Sequence, residues 1–355
     1  MTTLLFRYVF SRHARLLLIT LSVGLGVYLL TELVERADTF LETKSGPWLM
    51  LRYFGARLPS ILARILPSVF LLASVITLCL MAHNREDVAL QTGGVSPGVV
   101  TAALILSGLF WGGVQFACSQ WLGTAGDRYA ERVWNGQVRK RAELPQVLSN
   151  VWFTEGEWIV SLDALSRNGS GTGLAAYRLS ADGLSVESIV HAPEFTAGTD
   201  GWTARGASRV VPSLFLREAP ADLVLPLTHD PGVFFLGGQD NPQMLPMWLL
   251  TEAIAQLSAA GSNVEGLITA WHAKLANAAS LAVMAVLAAA IAAWWRNVYI
   301  AVGFSVAATF LFYAFSLFGE STGQRGFLPP MAAAWGTNAA FLLLAFLAIR
   351  LSRAK

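Results

Sequence analysis

Residues 59–82 read PSILARILPSVFLLASVITLCLMA, an apolar run that contains a single charged side chain, Arg64. A helix needs about 20 apolar residues to cross a hydrocarbon core about 30 Å thick, so this run predicts a membrane span. Five further runs meet the same criterion: residues 16–34, 97–119, 272–295, 298–319 and 328–350. The sequence therefore predicts six membrane helices, three on each side of a long polar segment. Pro59 and Pro97 are expected to begin their helices, because the first helical turn does not need the N–H that proline lacks.

The charge of the chain is unevenly distributed. Hydrophobic residues make up 54% of the 355 residues and charged residues 14%, below the roughly 25% charged residues of a soluble domain. The formal net charge of +2 combines a balance of −6 between residues 127 and 265, where 16 acidic and 10 basic residues lie, with +8 elsewhere. This balance excludes a basic stripe for nucleic acid as the main feature, so no nucleic-acid partner is expected.

Basic residues at the two chain ends predict the orientation of the spans. Arg7, Arg12 and Arg15 precede the first span, and basic residues also follow the last one. An even number of spans puts both ends on one side, which the positive-inside rule makes cytoplasmic. The segment after the first span breaks this rule, because it carries five basic residues on the outer side: Arg36, Lys44, Arg52, Arg57 and Arg64. Such a cluster indicates either a wrong topology or a binding site, and we favour the binding site.

The polar segment, residues 125–265, has the pattern of a β domain. Short β-type runs alternate with turn residues: 152–160, 174–179, 184–190, 202–204, 209–211 and 223–227. Asp182-Gly183 between two of them is a strong hairpin signal. Residues 245–257 predict a helix that leads back to the membrane. Many short strands indicate a sandwich, jelly roll or barrel, which is either a solvated accessory domain, the interpretation that composition favours, or an apolar groove for lipid.

Catalytic and cofactor motifs are missing from the sequence. There is no G-x-x-x-x-G-K-[ST] phosphate loop and no H-E-x-x-H, and the five histidines lack ligand spacing. The predicted spans carry no central pair of carboxylates, which a proton-coupled transporter usually shows. An enzyme is therefore the class with the least support.

Two short segments remain as candidate sites. Residues 85–92, between the second and third spans, predict two helical turns with Glu86 and Asp87 at the start, where acids favour the helix dipole. This helix is either a plain connection or a contact that seats in a groove on a soluble partner. The outer arginines Arg36, Arg52, Arg57 and Arg64 either reach toward lipid headgroups or form a phosphate-binding vestibule, for which arginine is well suited.

The order of these parts resembles the YjgP/YjgQ family, the lipopolysaccharide-export permeases of the LptF/LptG type. Four segments carry the resemblance: residues 85–96, similar to a cytoplasmic coupling helix; 151–159, similar to an early strand pair of a jelly roll; 272–277, the entry to the fourth span; and 326–338, the last loop and sixth span. Two positions depart from the family pattern. Asn277 begins a stretch where a proline is frequent, and Glu35-Arg36 stands where a lysine is expected.

The resemblance implies a membrane α-helical fold with an inserted all-β domain: six transmembrane helices (3+3) that flank a periplasmic β-jelly-roll. The implied domains are residues 1–124, with a cytoplasmic coupling helix at 84–94, residues 125–265, and residues 266–355. The implied location is the bacterial inner membrane. The implied partners are a paralogous permease subunit, a cytoplasmic ATPase dimer, a periplasmic jelly-roll bridge protein and lipopolysaccharide.

The resemblance also implies a function without catalysis in this chain. The permease extracts lipopolysaccharide and passes it toward the outer membrane, and it needs no cofactor, because ATP and Mg are bound by the partner ATPase. The residues implied in ATPase coupling are Arg85, Glu86, Asp87, Val88, Leu90, Thr92, Gly93 and Gly94. Our hypothesis is that Glu86 pairs with a basic residue of the ATPase. The alternatives are a permease for another lipid or lipoprotein and a membrane-anchored assembly scaffold.

Overall fold

The computed structural model describes residues 2–42, 46–138, 147–180, 185–198, 201–219, 222–237, 242–259, 261–295 and 297–353. Lys44 and the hairpin residues Asp182 and Gly183 lie outside this set. The chain divides into two compact units. The helical unit comprises Met1–Lys140 and Thr269–Lys355, and the β unit comprises Arg141–Ile268. Each unit is described by itself.

Six of the described helices are long and apolar enough to span a membrane, which confirms the predicted number. They are α1 (Thr2–Glu42), α2 (Pro47–His83), α4 (Pro97–Ala117), α8 (Glu265–Trp294), α9 (Val298–Gln324) and α10 (Pro330–Arg353), and a short helix, α3 (Glu86–Thr92), joins α2 to α4. The third span continues beyond α4 through a π-helical turn, Cys118–Gly123, into α5 (Thr124–Arg132) and a second π-helical turn, Val133–Val138.

The prolines of the second and third spans have different positions. Pro97 lies in the first turn of α4, after Ser96, as expected. Pro59 does not begin α2, because that helix starts at Pro47 and contains both Pro59 and Pro67. The residues from 47 to 58 are rich in apolar and aromatic side chains that continue the helix, and Pro47 occupies the first turn that does not need its N–H.

Pairs of glycines allow the membrane helices to approach closely. A Cβ atom at Gly112 of α4 would lie 2.5 Å from the carbonyl oxygen of Ala278 in α8. A Cβ atom at Gly319 of α9 would lie 2.5 Å from the carbonyl oxygen of Ala333 in α10. Gly112 follows another glycine by four residues, and Gly319 precedes one by the same spacing, which is the pattern of closely packed membrane helices.

The β unit is an antiparallel sheet in the described residues. Its eight strands are β1 (Val147–Glu155), β2 (Trp158–Ser166), β3 (Ser170–Leu179), β4 (Val186–Gly198), β5 (Gly201–Arg205), β6 (Ser208–Val211), β7 (Leu216–Glu218) and β8 (Asp222–Leu225). The order is β1-β2-β3-β4-β5-β8, with β6 paired to β4 and β7. Helices α6 (Gly232–Gly237) and α7 (Met247–Ala259) follow the strands. An inserted all-β domain is thereby confirmed, and its assignment as a jelly roll stays an expectation from the resemblance.

Alternating apolar side chains form the core of this sheet. Phe153, Leu162, Leu174 and Trp202 are buried, and the ring of Trp202 stacks on Phe195 with centroids 5.5 Å apart. The hairpin predicted around Asp182 has β3 and β4 as its antiparallel arms. The change from helix to strand comes later than the expected residue 125, because the third span remains helical to Val138.

Candidate functional site

A cleft of about 550 Å³ lies between α1 and α2 in the helical unit, and we call it the basic cleft. Its lining consists of Gly24, Val27, Tyr28, Thr31, Glu32, Glu35, Arg36, Arg57, Arg64, Ile65, Ser68 and Val69. The two helices run antiparallel, so Gly24 lies against Val69 and Ile65 at one end, and Glu32 meets Arg57 at the other. The cleft therefore has an apolar part and a charged part.

Glu32 is the centre of the charged part. It is buried, with a side chain 8% exposed, and it accepts a hydrogen bond from the guanidinium of Arg57. Arg36, one turn further along α1, places its Nε 3.4 Å from the same carboxylate. Arg57 also donates to the hydroxyl of Tyr53 at 3.0 Å, and its Nε lies 3.9 Å from Asp127 of α5. Two of the predicted arginines are thus already paired with acids of this chain.

The four predicted arginines are not all in one place. Arg36, Arg57 and Arg64 line the basic cleft, whereas Arg52 lies outside its lining, with its guanidinium 5.5 Å from the centre of the Tyr129 ring. Arg64 is exposed, and no carboxylate in the described part of the chain lies within ion-pair distance of it. Arg36 additionally covers the ring of Trp134 at 4.5 Å.

The charge of the cleft is smaller than the arginines alone predict. Three arginines and two acidic residues, Glu32 and Glu35, line it, so its formal balance is +1. The spacing of Glu32 and Arg36, four residues apart on one helix, is a sequence signal for their pairing. The contacts of Arg57 with Glu32 and Asp127 have no such signal, because they join different helices.

A second charged group, for which the sequence gives no local signal, lies nearby in the helical unit. Lys274 of α8 interacts electrostatically with Glu320 of α9 and with Asp127 of α5. Asp127 also accepts a hydrogen bond from Ser60 of α2 at 2.7 Å. A charged side chain within a membrane helix raises the free energy of the folded chain unless it is paired. Paired charges of this kind are frequently functional.

Helix α3 contains the residues expected to contact an ATPase. Arg85 precedes it in a left-handed conformation with φ of 58°, and Gly94 follows it with φ of 81°. Leu90 packs against the core of the helical unit, whereas Val88 is 49% exposed and Thr92 is also exposed. The exposed surface of α3 is therefore formed by Val88, Ala89, Gln91 and Thr92.

Glu86, the first residue of α3, is paired within the chain. Its Oε1 accepts a hydrogen bond from Arg12 Nη1 at 2.5 Å and one from Asn84 Nδ2 at 3.1 Å, and its Oε2 accepts one from the hydroxyl of Tyr8 at 2.9 Å. Partial burial raises the pKa of Glu86, but the hydrogen bonds from Arg12, Asn84 and Tyr8 outweigh it, so the pKa lies below its usual value. Glu86 is charged and has a partner before any second protein binds.

Comparison with known proteins adds one finding. A family model described as "Lipopolysaccharide export system permease LptF/LptG" matches residues 7–351, which is nearly the whole chain. No curated protein sequence matches it.

Proposed function

Because the chain belongs to the LptF/LptG family of lipopolysaccharide export permeases, we propose that it is one membrane subunit of an ABC transporter that extracts lipopolysaccharide from the inner membrane and passes it to a periplasmic bridge. The match over residues 7–351 carries this proposal. The six membrane helices and the inserted β domain fit the role, because a lipid carrier needs both a membrane cavity and a route away from the membrane.

The basic cleft supports a lipid with an anionic headgroup. Val27, Ile65 and Val69 offer apolar surface for an acyl chain, and Arg36, Arg57 and Arg64 give the lining of the cleft its positive charges. Guanidinium groups bind phosphate with two parallel hydrogen bonds, which is the strongest form of this contact. Arg64 is the first contact we propose, because it is exposed and has no described acidic partner.

The carboxylate of Glu32 competes with the lipid headgroup for the guanidinium of Arg57. A phosphate that binds Arg57 must displace the carboxylate of Glu32 or share the guanidinium with it. Such competition keeps affinity moderate, which suits a subunit that must release its lipid as well as bind it. The charged part of the cleft then exchanges one anion for another without leaving a buried arginine unpaired.

The remaining components are proposed from the family. A paralogous permease completes the cavity, and a cytoplasmic ATPase dimer binds ATP and Mg²⁺, so this chain is a non-catalytic subunit. Val88 and Thr92 on the exposed surface of α3 contact the ATPase. The β unit lies in the periplasm and contacts a jelly-roll bridge protein, which receives the lipid.

Site-specific photo-crosslinking in living cells tests this proposal. A photoreactive phenylalanine analogue replaces Tyr28 or Ser68, which line the cleft without joining its ion pairs. We expect both positions to capture lipopolysaccharide in cells that also express the partner subunits. Leu343 of α10, which is 61% exposed and outside the cleft, is the matched control for random lipid contact. Capture at Leu343 equal to that at Tyr28 contradicts the proposal, as does capture of phospholipid alone.

A further inference from the structure

Three side chains join α3 to the first membrane helix. Tyr8 and Arg12 lie one turn apart on α1, and both donate hydrogen bonds to Glu86, 78 and 74 residues further along the chain. Arg12 Nη1 also donates to the hydroxyl of Tyr8 at 2.7 Å, so the three groups form a closed ring of hydrogen bonds. The side chains of Arg12 and Glu86 are only 22% and 25% exposed.

The part of α1 that carries this ring is itself fixed. His13, next to Arg12, is fully buried, and its two ring nitrogens lie 3.0 Å from the hydroxyl of Ser74 in α2 and 3.1 Å from the hydroxyl of Ser107 in α4. Its ring also packs edge-on against Phe70. Glu86 therefore contacts α1 at Arg12, directly beside His13, where α1 is packed in the core of the helical unit.

Helix α1 also forms one wall of the basic cleft. The helix is continuous from Thr2 to Glu42, and 20 residues separate Arg12 from Glu32, which is about 30 Å along a helix. A continuous helix gives a physical connection between its two ends, along which coupling can travel. Glu32 and Arg36, which hold the charged part of the cleft, lie on it.

We propose that Arg12 and Tyr8 are positioning residues that clamp α3 to α1, so that movement of α3 reaches the cleft through the first membrane helix. The role of this clamp in transport rests on the proposed function, whereas the existence of the clamp does not. The competing hypothesis is that Glu86 is reserved for a basic residue of the ATPase. That hypothesis makes Arg12 dispensable for the position of α3.

Hydrogen exchange on the purified full-length chain, without any ATPase, tests the clamp. In the Arg12→Gln variant we expect the amides of residues 86–94 to exchange about three- to tenfold faster, the range for loss of one charge-assisted contact at a partly exposed site. Arg15→Gln is the matched control, because Arg15 is exposed on the same helix and makes no ion pair with a described residue. Amides of α2 serve as an internal reference for folding.

A charge exchange separates positioning from a general loss of stability. The double variant Arg12→Glu, Glu86→Arg is expected to recover most of the protection that Arg12→Gln loses, because the pair is rebuilt with opposite signs. Exchange at the wild-type rate in Arg12→Gln, or equally fast exchange in the double variant, overturns the clamp. Co-purification of the ATPase is measured separately. If neither the wild type nor any variant binds the ATPase, the proposed function is refuted, but the hydrogen-exchange result still decides whether the clamp exists.

Discussion

Glu32 is the acidic partner of two of the three arginines that line the cleft. Counted along the sequence, Arg36, Arg57 and Arg64 are three positive charges after the first span, in a segment that the predicted topology places on the side where few basic residues are expected. In the folded helical unit, Arg36 and Arg57 converge on one buried carboxylate, and only Arg64 is left without a described acidic partner. Arg57 therefore has two roles: it joins α2 to α1 through Glu32, and it is one of the arginines for which we propose contact with an anionic lipid.

This double role predicts the effect of removing Arg57. Arg57→Gln leaves Glu32 buried beside Arg36 alone, so we expect a loss of about 2 kcal/mol in stability, less than the cost of an isolated buried charge because Arg36 stays close. Arg52→Gln is the comparison, since the contact that the described residues give Arg52 is with the ring of Tyr129, and we expect a loss of about 0.5–1 kcal/mol. Thermal unfolding of the full chain in detergent measures both.

A double variant decides whether the ion pair is the cause. Glu32→Gln combined with Arg57→Gln removes both charges, and we expect it to be more stable than Arg57→Gln alone because no carboxylate remains buried. Equal instability of the two variants would mean that Arg57 acts through packing and not through Glu32.

At the scale of the element, α2 shows how a membrane helix tolerates an internal proline. Pro67 has no N–H, so the carbonyl of Ala63 loses its helical partner. Gln115 of the third span donates its side-chain amide to that carbonyl at 2.9 Å, and the hydroxyl of Tyr313 in α9 donates to the neighbouring carbonyl of Arg64 at 2.8 Å. The proline therefore frees one acceptor, the carbonyl of Ala63, which attaches the third span to α2, and Tyr313 attaches α9 at the adjacent carbonyl.

We expect the hydrogen bond of Gln115 to stabilise the chain only while Pro67 is present. Gln115→Leu keeps the side-chain size but leaves the carbonyl of Ala63 unpaired in an apolar surrounding, and we expect a loss of about 1–3 kcal/mol. In a Pro67→Ala background the N–H of residue 67 can satisfy Ala63, so the same change is expected to cost less than about 1 kcal/mol. Thermal unfolding of the four chains gives the coupling, and additive effects would refute the explanation.

The sequence predicts what depends on neighbours along the chain. The apolar run of residues 59–82 predicts α2, and the alternation on both sides of Asp182-Gly183 predicts the pairing of β3 and β4, because length, hydropathy and turn chemistry are local properties. Helix α2 still begins 12 residues before the expected Pro59, since amphipathic helix continues beyond the apolar core of a span.

Contacts between distant elements have no such local signal. The contact of Glu86 with a partner protein stays a prediction, but its hydrogen bond from Arg12, 74 residues away along the chain, is one that the sequence does not indicate. Nothing in the composition of either segment specifies that they meet. The acids that neutralise Arg57 escaped prediction for the same reason, whereas the four-residue spacing of Glu32 and Arg36 is visible in the sequence.

At the scale of the whole molecule, the two compact units have different stabilising interactions. The helical unit relies on close helix contacts and paired charges, and the β unit relies on an aromatic core and on the half-buried carboxylate of Glu155. This carboxylate accepts hydrogen bonds from the backbone N–H of Thr228 at 2.7 Å and from its hydroxyl at 2.5 Å, and His229 Nδ1 lies 2.7 Å away. Glu155 therefore fastens the segment after β8 to the end of β1.

The pH dependence of the β unit follows from this residue. Burial raises the pKa of Glu155, but the hydrogen bonds from Thr228 and His229 outweigh it, so the pKa in the folded chain lies below its ordinary value of 4.5. A lowered pKa means that the charged form stabilises the fold above the unfolded-state value, and that this contribution is lost as the pH falls through the folded-state value. The protection of strand amides should therefore weaken as the pH falls below about 4.5.

Glu155→Gln is expected to remove this contribution at neutral pH. We predict a loss of about 1 kcal/mol in the protection of β1–β3 amides at pH 7, and a flatter pH dependence on the acid side, both measured by hydrogen exchange corrected for intrinsic rates. Glu157→Gln is the matched control, because Glu157 lies two residues away and pairs with Arg178 only at the surface, where such pairs contribute less than about 1 kcal/mol.

The amides of α2 and α8 should be unchanged in both variants, because Glu155 belongs to the β unit. Equal loss of protection in the helical unit would show that the two units unfold as one.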